Sequence, residues 1–234
     1  LELSEQASKF NPLPIYRHQQ AQIVYAQGDY RKALDMFTAL QKTELGKNGE
    51  VFYEAAQCKT KLKAPQAEVL QLLDSAVAAQ DGAISAPYVL ARGRMYDVAG
   101  EYRKAFMDYL KYDTLMHMNA SADFYYLRFQ CGMKLRQYQV ALNDIAHAIV
   151  LNRNEPTYYA EMASLQLRVN QLDDAVKTCE MAIPLAPGYA DLYIIKGVAA
   201  CEAGKKGDGL AALRKAQELG DERAGELIGK YEKK

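Results

Sequence analysis

The chain has no tryptophan, and only three of its 234 residues are histidine and four cysteine. The cysteines, Cys58, Cys131, Cys179 and Cys201, lie far apart and form no CxxC pair, so the usual zinc and dithiol spacings are missing. Each stands inside an apolar helical pattern and reads as a small buried hydrophobe. Net charge is missing too, with 29 Lys plus Arg against 29 Asp plus Glu. A nucleic-acid footprint needs clustered positive charge to displace counterions, so nucleic acid is not the expected partner. No run approaches 18 apolar residues, and no membrane-spanning helix is expected.

A catalytic constellation is also missing. His18, His117 and His147 lie in separate segments, and none stands at ligand or catalytic spacing from a cysteine or carboxylate. Asp108 and Asp144 sit on helical patterns among apolar neighbours and are expected to face solvent. Asp173 and Asp174 open a helix, where carboxylates favour the dipole. GKKGDG (204–209) is Gly-rich and basic, but it follows no strand and lacks the K[ST] of a phosphate loop, so it reads as a turn. In LMHMN (115–119), consecutive residues cannot converge on one ion, and the methionines read as core filler near a helix end. The expectation is a non-enzyme without cofactor or metal.

What is present is repetition. GDYRKALDMF (28–37) returns as GEYRKAFMDY (100–109). Steps of 36, 36, 36, 34 and 34 from Ala33 reach Val69, Ala105, Ala141, Ala175 and Gly209, all small or β-branched. Four residues after each stand Phe37, Leu73, Tyr109, Ile145, Cys179 and Leu213, all apolar. Twelve residues before the first set come Ala21, Gly93, Ala163 and Gly197, again small. Each repeat holds two helical patterns, A (as in QAQIVYAQ, 20–27) and B (as in YRKALDMFTAL, 30–40), with Gly28, Gly100 and Gly204 at the turn between them. Small residues where A crosses B let the axes approach to about 8–9 Å. One such pair cannot bury both faces, so pairs stack in arrays.

These positions resemble the tetratricopeptide repeat family, over about residues 14–223. The terminal proline of that family appears at Pro187, and its early helix-A aromatic at Tyr125, Tyr159 and Tyr193. In the second repeat Ala56 is one residue out of phase, and Phe129 and Tyr112 replace small residues. The resemblance implies an all-α, right-handed α-solenoid of about six antiparallel helix pairs. Its repeats are expected at 14–47, 48–85, 86–121, 122–155, 156–189 and 190–223. Residues 1–13 read as the tail of a preceding repeat or a cap, with Ala7 and Pro12 spaced like Ala182 and Pro187. Self-association through that uncapped end is a further expectation. LRKAQELGDERAGELIGKYE (213–232) resembles a Sel1-like phrase, and 224–234 reads as a capping helix with Ala224, Leu227, Ile228 and Tyr231 on its apolar face. The sixth repeat carries four glycines, 197, 204, 207 and 209, and is expected to be the least stable.

In the resembled family, helix A lines a concave groove in which peptides or partner segments lie. Carried onto this chain, the inward polar and aromatic positions are His18, Gln22, Tyr25, Tyr53, Gln57, Arg94, Asp97, Tyr126 and Gln130. Tyr and Arg suit interface hot spots because they add area at little ordering cost. In the fifth and sixth repeats the same positions turn apolar: Ala160, Leu167, Ile194, Val198 and Cys201. The Lys/Asn clamp with which some family members hold a terminal carboxylate is absent. The leading expectation is a scaffold binding a peptide or protein segment. The alternative is a ligand-binding or regulatory module taking a glycan or small molecule on the same Tyr-rich wall. Helical-repeat RNA binding is disfavoured by the neutral charge and the shortage of inward cations.

Overall fold

The computed structural model describes residues 13–233. The expected tail around Ala7 and Pro12 lies outside the described residues. Among the described residues thirteen α-helices follow one another and no strand occurs. They fall into two compact units, Leu1–Asn119 and Ala120–Lys234.

The first unit contains α1 (Pro14–Ala26), α2 (Tyr30–Leu40), α3 (Gly49–Lys61), α4 (Gln66–Ala79), α5 (Ala86–Val98) and α6 (Tyr102–Leu115). Consecutive helices pack on one another. Ala21, Ala33, Phe37, Leu40 and Ala55 are buried together at the first crossings, so the smallest side chains lie where helices approach. Ala55 and Ala56 are both buried, which resolves the slip of phase in the second repeat. The longer loops after α2 and α4 are filled by short 3-10 turns, Glu44–Lys47 and Ala83–Ser85.

The second unit contains α7 (Ala122–Lys134), α8 (Tyr138–Leu151), α9 (Pro156–Arg168), α10 (Leu172–Ala182), α11 (Ala190–Glu202), α12 (Lys206–Glu218) and α13 (Arg223–Lys233). Here Gly132 meets Ala141 at the α7–α8 crossing, and Gly197 meets Gly209 and Leu213 at the α11–α12 crossing. The last helix, α13, lays Ala224, Leu227, Ile228 and Tyr231 against Ile194, Val198, Cys201 and Leu213.

Every A-to-B turn uses one residue with positive φ: Gly28, Lys63, Gly100, Arg136, Asn170 and Gly204. That residue ends helix A in the left-handed conformation, the usual helix stop. After the first turn the Asp29 carboxylate accepts the Lys32 amide at 3.1 Å and caps α2. Three of the six positions are not glycine, so sequence alone shows only half of the turns.

Two expectations are corrected. Asp108 and Asp144 do not face solvent: they are 5% and 1% exposed. Each is held by an arginine on the preceding helix A. Arg92 grips Asp108 through Nε and Nη2 at 2.8 and 2.7 Å, and its Nη1 reaches Asp74 at 2.9 Å. Arg128 grips Asp144 through Nη2 at 2.6 Å and Nε at 3.0 Å. A buried carboxylate survives only with such a partner. The methionines of LMHMN do not both fill a core: Met118 is 80% exposed. The chain turns there through positive φ at His117 and Met118, which aims the Met118 side chain outward.

GKKGDG is also more than a turn. Gly204 ends α11, whereas Gly207 and Gly209 lie inside α12. Gly209 is needed there, because a Cβ would run into the Cys201 sulfur and lie 2.8 Å from the Gly197 carbonyl oxygen.

Candidate functional site

In the first unit, Tyr25 of α1, Tyr53 and Gln57 of α3 and Arg94 of α5 line one pocket of about 630 Å3. Its floor is apolar, with Ala56, Val69, Leu73, Ala91 and Met95 from α3, α4 and α5. Its charged rim consists of Lys61 and Arg94, with no carboxylate among the lining residues. Arg94 is exposed, whereas Tyr25, Tyr53 and Gln57 are half-buried. The tyrosines are held in place by other rings: Tyr25 meets Tyr30 edge-on at 5.2 Å, and Tyr53 lies 5.0 Å from Tyr88. Below them, the Gln66 side-chain amide donates to the Met95 carbonyl at 2.7 Å and ties α4 to α5. Burial raises the Tyr25 phenol above its ordinary pKa, so it remains a hydrogen-bond donor at neutral pH.

His18 and Gln22 make a second arrangement in the same unit. His18 is 6% exposed and packs edge-on to Phe37 at 6.0 Å. Its Nε2 lies 2.5 Å from Oε2 of Glu54, and the Gln22 amide donates to Oε1 of the same carboxylate at 2.7 Å. The hydrogen bond with Glu54 raises the His18 pKa; burial opposes this, and the charges of Glu54 and Glu50 add to the rise. Glu50 lies one helical turn before Glu54 on α3, and one ligand atom from each of His18, Glu50 and Glu54 lies within 4.8 Å of the others. No histidine stands at ligand spacing from a carboxylate along the sequence, yet the fold brings His18 to Glu54. His18 and Glu54 are 36 residues apart, one repeat period, so only a search at the repeat spacing finds them. Asp97 stands half-buried on α5, one turn beyond Arg94.

In the second unit, the Tyr126 ring of α7 lies 5.0 Å from Tyr158 of α9 and stacks on Phe129 at 5.9 Å. It borders a pocket of about 310 Å3 with Thr157, Glu161, Ser164, Tyr189, Asp191 and Arg223 among its lining. Arg223 of α13 pairs with Asp191. Burial, with Asp191 adding to it, raises the Glu161 carboxyl above the ordinary range. Gln130 is exposed on α7. The inward apolar positions of the sixth repeat, Ile194, Val198 and Cys201, are packed against α13. A larger hollow of about 820 Å3 between α10, α11 and α12 has mixed charge, already paired as Lys205–Asp173 at 2.6 Å and Lys196–Glu180 at 2.9 Å.

None of the four cysteines is in a disulfide. No helix is long and apolar enough to cross a membrane among the described residues.

No family model matches the chain. Over 97 residues it is 30% identical to the small glutamine-rich tetratricopeptide repeat-containing protein 2 of Saccharomyces cerevisiae. That stretch is 42% of this chain and 28% of the yeast protein, so the chain spans less than a third of this relative's length. Among solved structures it is similar to YrrB, described as a TPR protein with an unusual peptide-binding site. The TM-score is 0.70 at 20% identity, covering 83% of this chain and 97% of YrrB. The MamA protein matches with a TM-score of 0.64 at 20% identity, covering 77% and 96%. The C-terminal part of a TPR repeat-containing protein from Cytophaga hutchinsonii matches at 0.64 and 14% identity, covering 86% and 78%. The fold is therefore that of a tetratricopeptide-repeat array. The Sel1-like phrase at 213–232 stays a resemblance of sequence.

Proposed function

We propose that the chain is a non-catalytic interaction module that binds a peptide or protein segment on its helix-A faces. The observation that carries this is the convergence of Tyr25, Tyr53, Gln57 and Arg94 on one apolar-floored pocket. An apolar side chain of the partner enters between the two tyrosines. A carboxylate beside it meets Arg94 and Lys61, which have no acidic neighbour in the lining. The phenol and amide groups then take main-chain hydrogen bonds. The fold supports this reading, since YrrB shares it and is described as having a peptide-binding site.

Gln22 and His18 orient Glu54 from below rather than touching the partner. Tyr126 offers a second contact within its own unit, against a lining that includes Glu161 and Asp191. Asp97 and Gln130 are peripheral contacts. The six-repeat division of 14–223, closed by a helix at 224–234, belongs to the same reading.

The test is a comparison of three baits with equal helicity: wild type, Tyr53→Ala/Arg94→Ala, and Arg214→Ala as a control remote from the pocket. A partner captured by wild type and control but not by the double variant supports the pocket. Equal capture by all three refutes it. A glycan array that gives hits while no protein is captured favours the small-ligand alternative.

A further inference from the structure

We propose that His18, Glu50 and Glu54 form a binding site for a divalent transition-metal ion, with Zn2+ as the representative case. The three side chains come from two helices of successive repeats. Glu50 and Glu54 are four residues apart on α3, which puts both carboxylates on one face. α1 presents the imidazole of His18 to that face, and the three candidate ligand atoms already lie within 4.8 Å of one another. Two ligands on one zinc are separated by roughly 3.0–3.5 Å, given bonds of about 2.0–2.1 Å. The ion displaces the proton shared by His18 and Glu54 to solvent, their 2.5 Å contact opens to that range, and the contraction falls to Glu50, whose side chain is only half-buried.

Charge points the same way. Two carboxylates face one imidazole, so the cluster keeps an excess negative charge even with His18 protonated. The Glu50 carboxylate has no hydrogen-bond or ion-pair partner among the described residues, whereas the other two groups are engaged with each other. The unpartnered Glu50 carboxylate is therefore available to a cation.

The supporting shell is already built. Gln22 holds the second oxygen of Glu54 at 2.7 Å, and Phe37 fixes the His18 ring. Such outer contacts orient ligands and tune a metal site. The donor set, one imidazole nitrogen with carboxylate oxygens, suits zinc, manganese or cobalt better than calcium or magnesium, which take oxygen ligands alone. Three protein ligands leave a coordination position for water. The ion joins α1 to α3, and with them the first two helix pairs.

The experiment is calorimetric titration of the untagged, chelator-stripped chain with ZnSO4. The expected result is one equivalent bound at roughly 10 µM or tighter. Co2+ in its place should give a visible absorption band. Glu50→Gln is the informative variant, because the carboxylate it removes has no partner to lose. It should keep the fold and weaken binding at least about ten-fold. His117→Ala/His147→Ala removes the other histidines and should bind as wild type. The proposal is overturned by binding weaker than roughly 10 µM, by Glu50→Gln binding as wild type, or by loss of binding in the His117/His147 variant.

Discussion

Arg128 and Asp144 form an ion pair across the α7–α8 crossing, with side chains 8% and 1% exposed. The same relationship joins Arg92 to Asp108 one repeat earlier, at the same separation of 16 residues. Arg128 also lies 5.5 Å from the Phe124 and Tyr125 rings, so its guanidinium is packed as well as paired.

Asp144→Ala should therefore destabilise the chain by about 3–5 kcal/mol, because it leaves a buried guanidinium without its partner. Arg128→Met/Asp144→Leu should cost far less than Asp144→Ala, since both charges go together. Asp108→Ala should cost less than Asp144→Ala, because Arg92 is 19% exposed and keeps Asp74. Urea midpoints of these variants, arranged as a double-mutant cycle, check the order.

The turns give a second prediction. Lys63 and Arg136 occupy left-handed positions, at φ 55° and 58°, where other turns use glycine. Lys63→Gly and Arg136→Gly should each stabilise by roughly 1 kcal/mol. Gly100→Ala, at φ 75°, should destabilise by a similar amount. Thermal unfolding of the three variants tests the sign.

Glycines of the last helices should split by environment. At Gly197 a new Cβ would lie 2.6 Å from Leu213 and 2.9 Å from the Gly209 carbonyl oxygen, so Gly197→Ala should destabilise. Gly229 in α13 has nothing within 4 Å of its would-be Cβ, and Gly229→Ala should stabilise by about 0.5–1 kcal/mol. Gly197 and Gly209 serve close packing and Gly204 serves a turn, so Gly207 alone has no compensating role in the sixth repeat. Hydrogen exchange along α11 and α12 measures the balance.

Thiol reactivity gives a fourth prediction. Burial pushes the Cys58 thiol up to about 11 and Cys179 up to about 12. Both should resist a disulfide reagent in the native chain at pH 8, as should buried Cys131. Cys201, which is partly exposed, should react first. Mass mapping of the labelled peptides identifies the site; fast labelling of Cys58 or Cys179 would contradict the packing.

The helix pairs were legible because small residues recur at fixed steps and neighbouring helices obey local rules. Tyr25, Tyr53, Gln57 and Arg94, which line one pocket, were reached as positions counted from those small residues. The ion pairs escaped, although the signal was there: an arginine immediately before Gly93 or Phe129, and an aspartate three residues after Ala105 or Ala141. An Asp between apolar residues looks exposed until its partner on the other helix is counted. The His18–Glu54 contact escaped because it joins successive repeats, and a search for motifs within one segment cannot see it. Met118 misled because composition suggests a core, while the positive φ of His117 and Met118 is a property of the backbone.

The most direct test of the pocket is a peptide selected against the whole chain from a random display library, with its affinity then measured by fluorescence polarisation. The account predicts an apolar residue flanked by acidic ones. It also predicts at least about ten-fold weaker binding to Tyr53→Ala and to Arg94→Ala separately, as for truncated hot spots, with no change for Arg214→Ala. A selected peptide that binds all four proteins equally would contradict it.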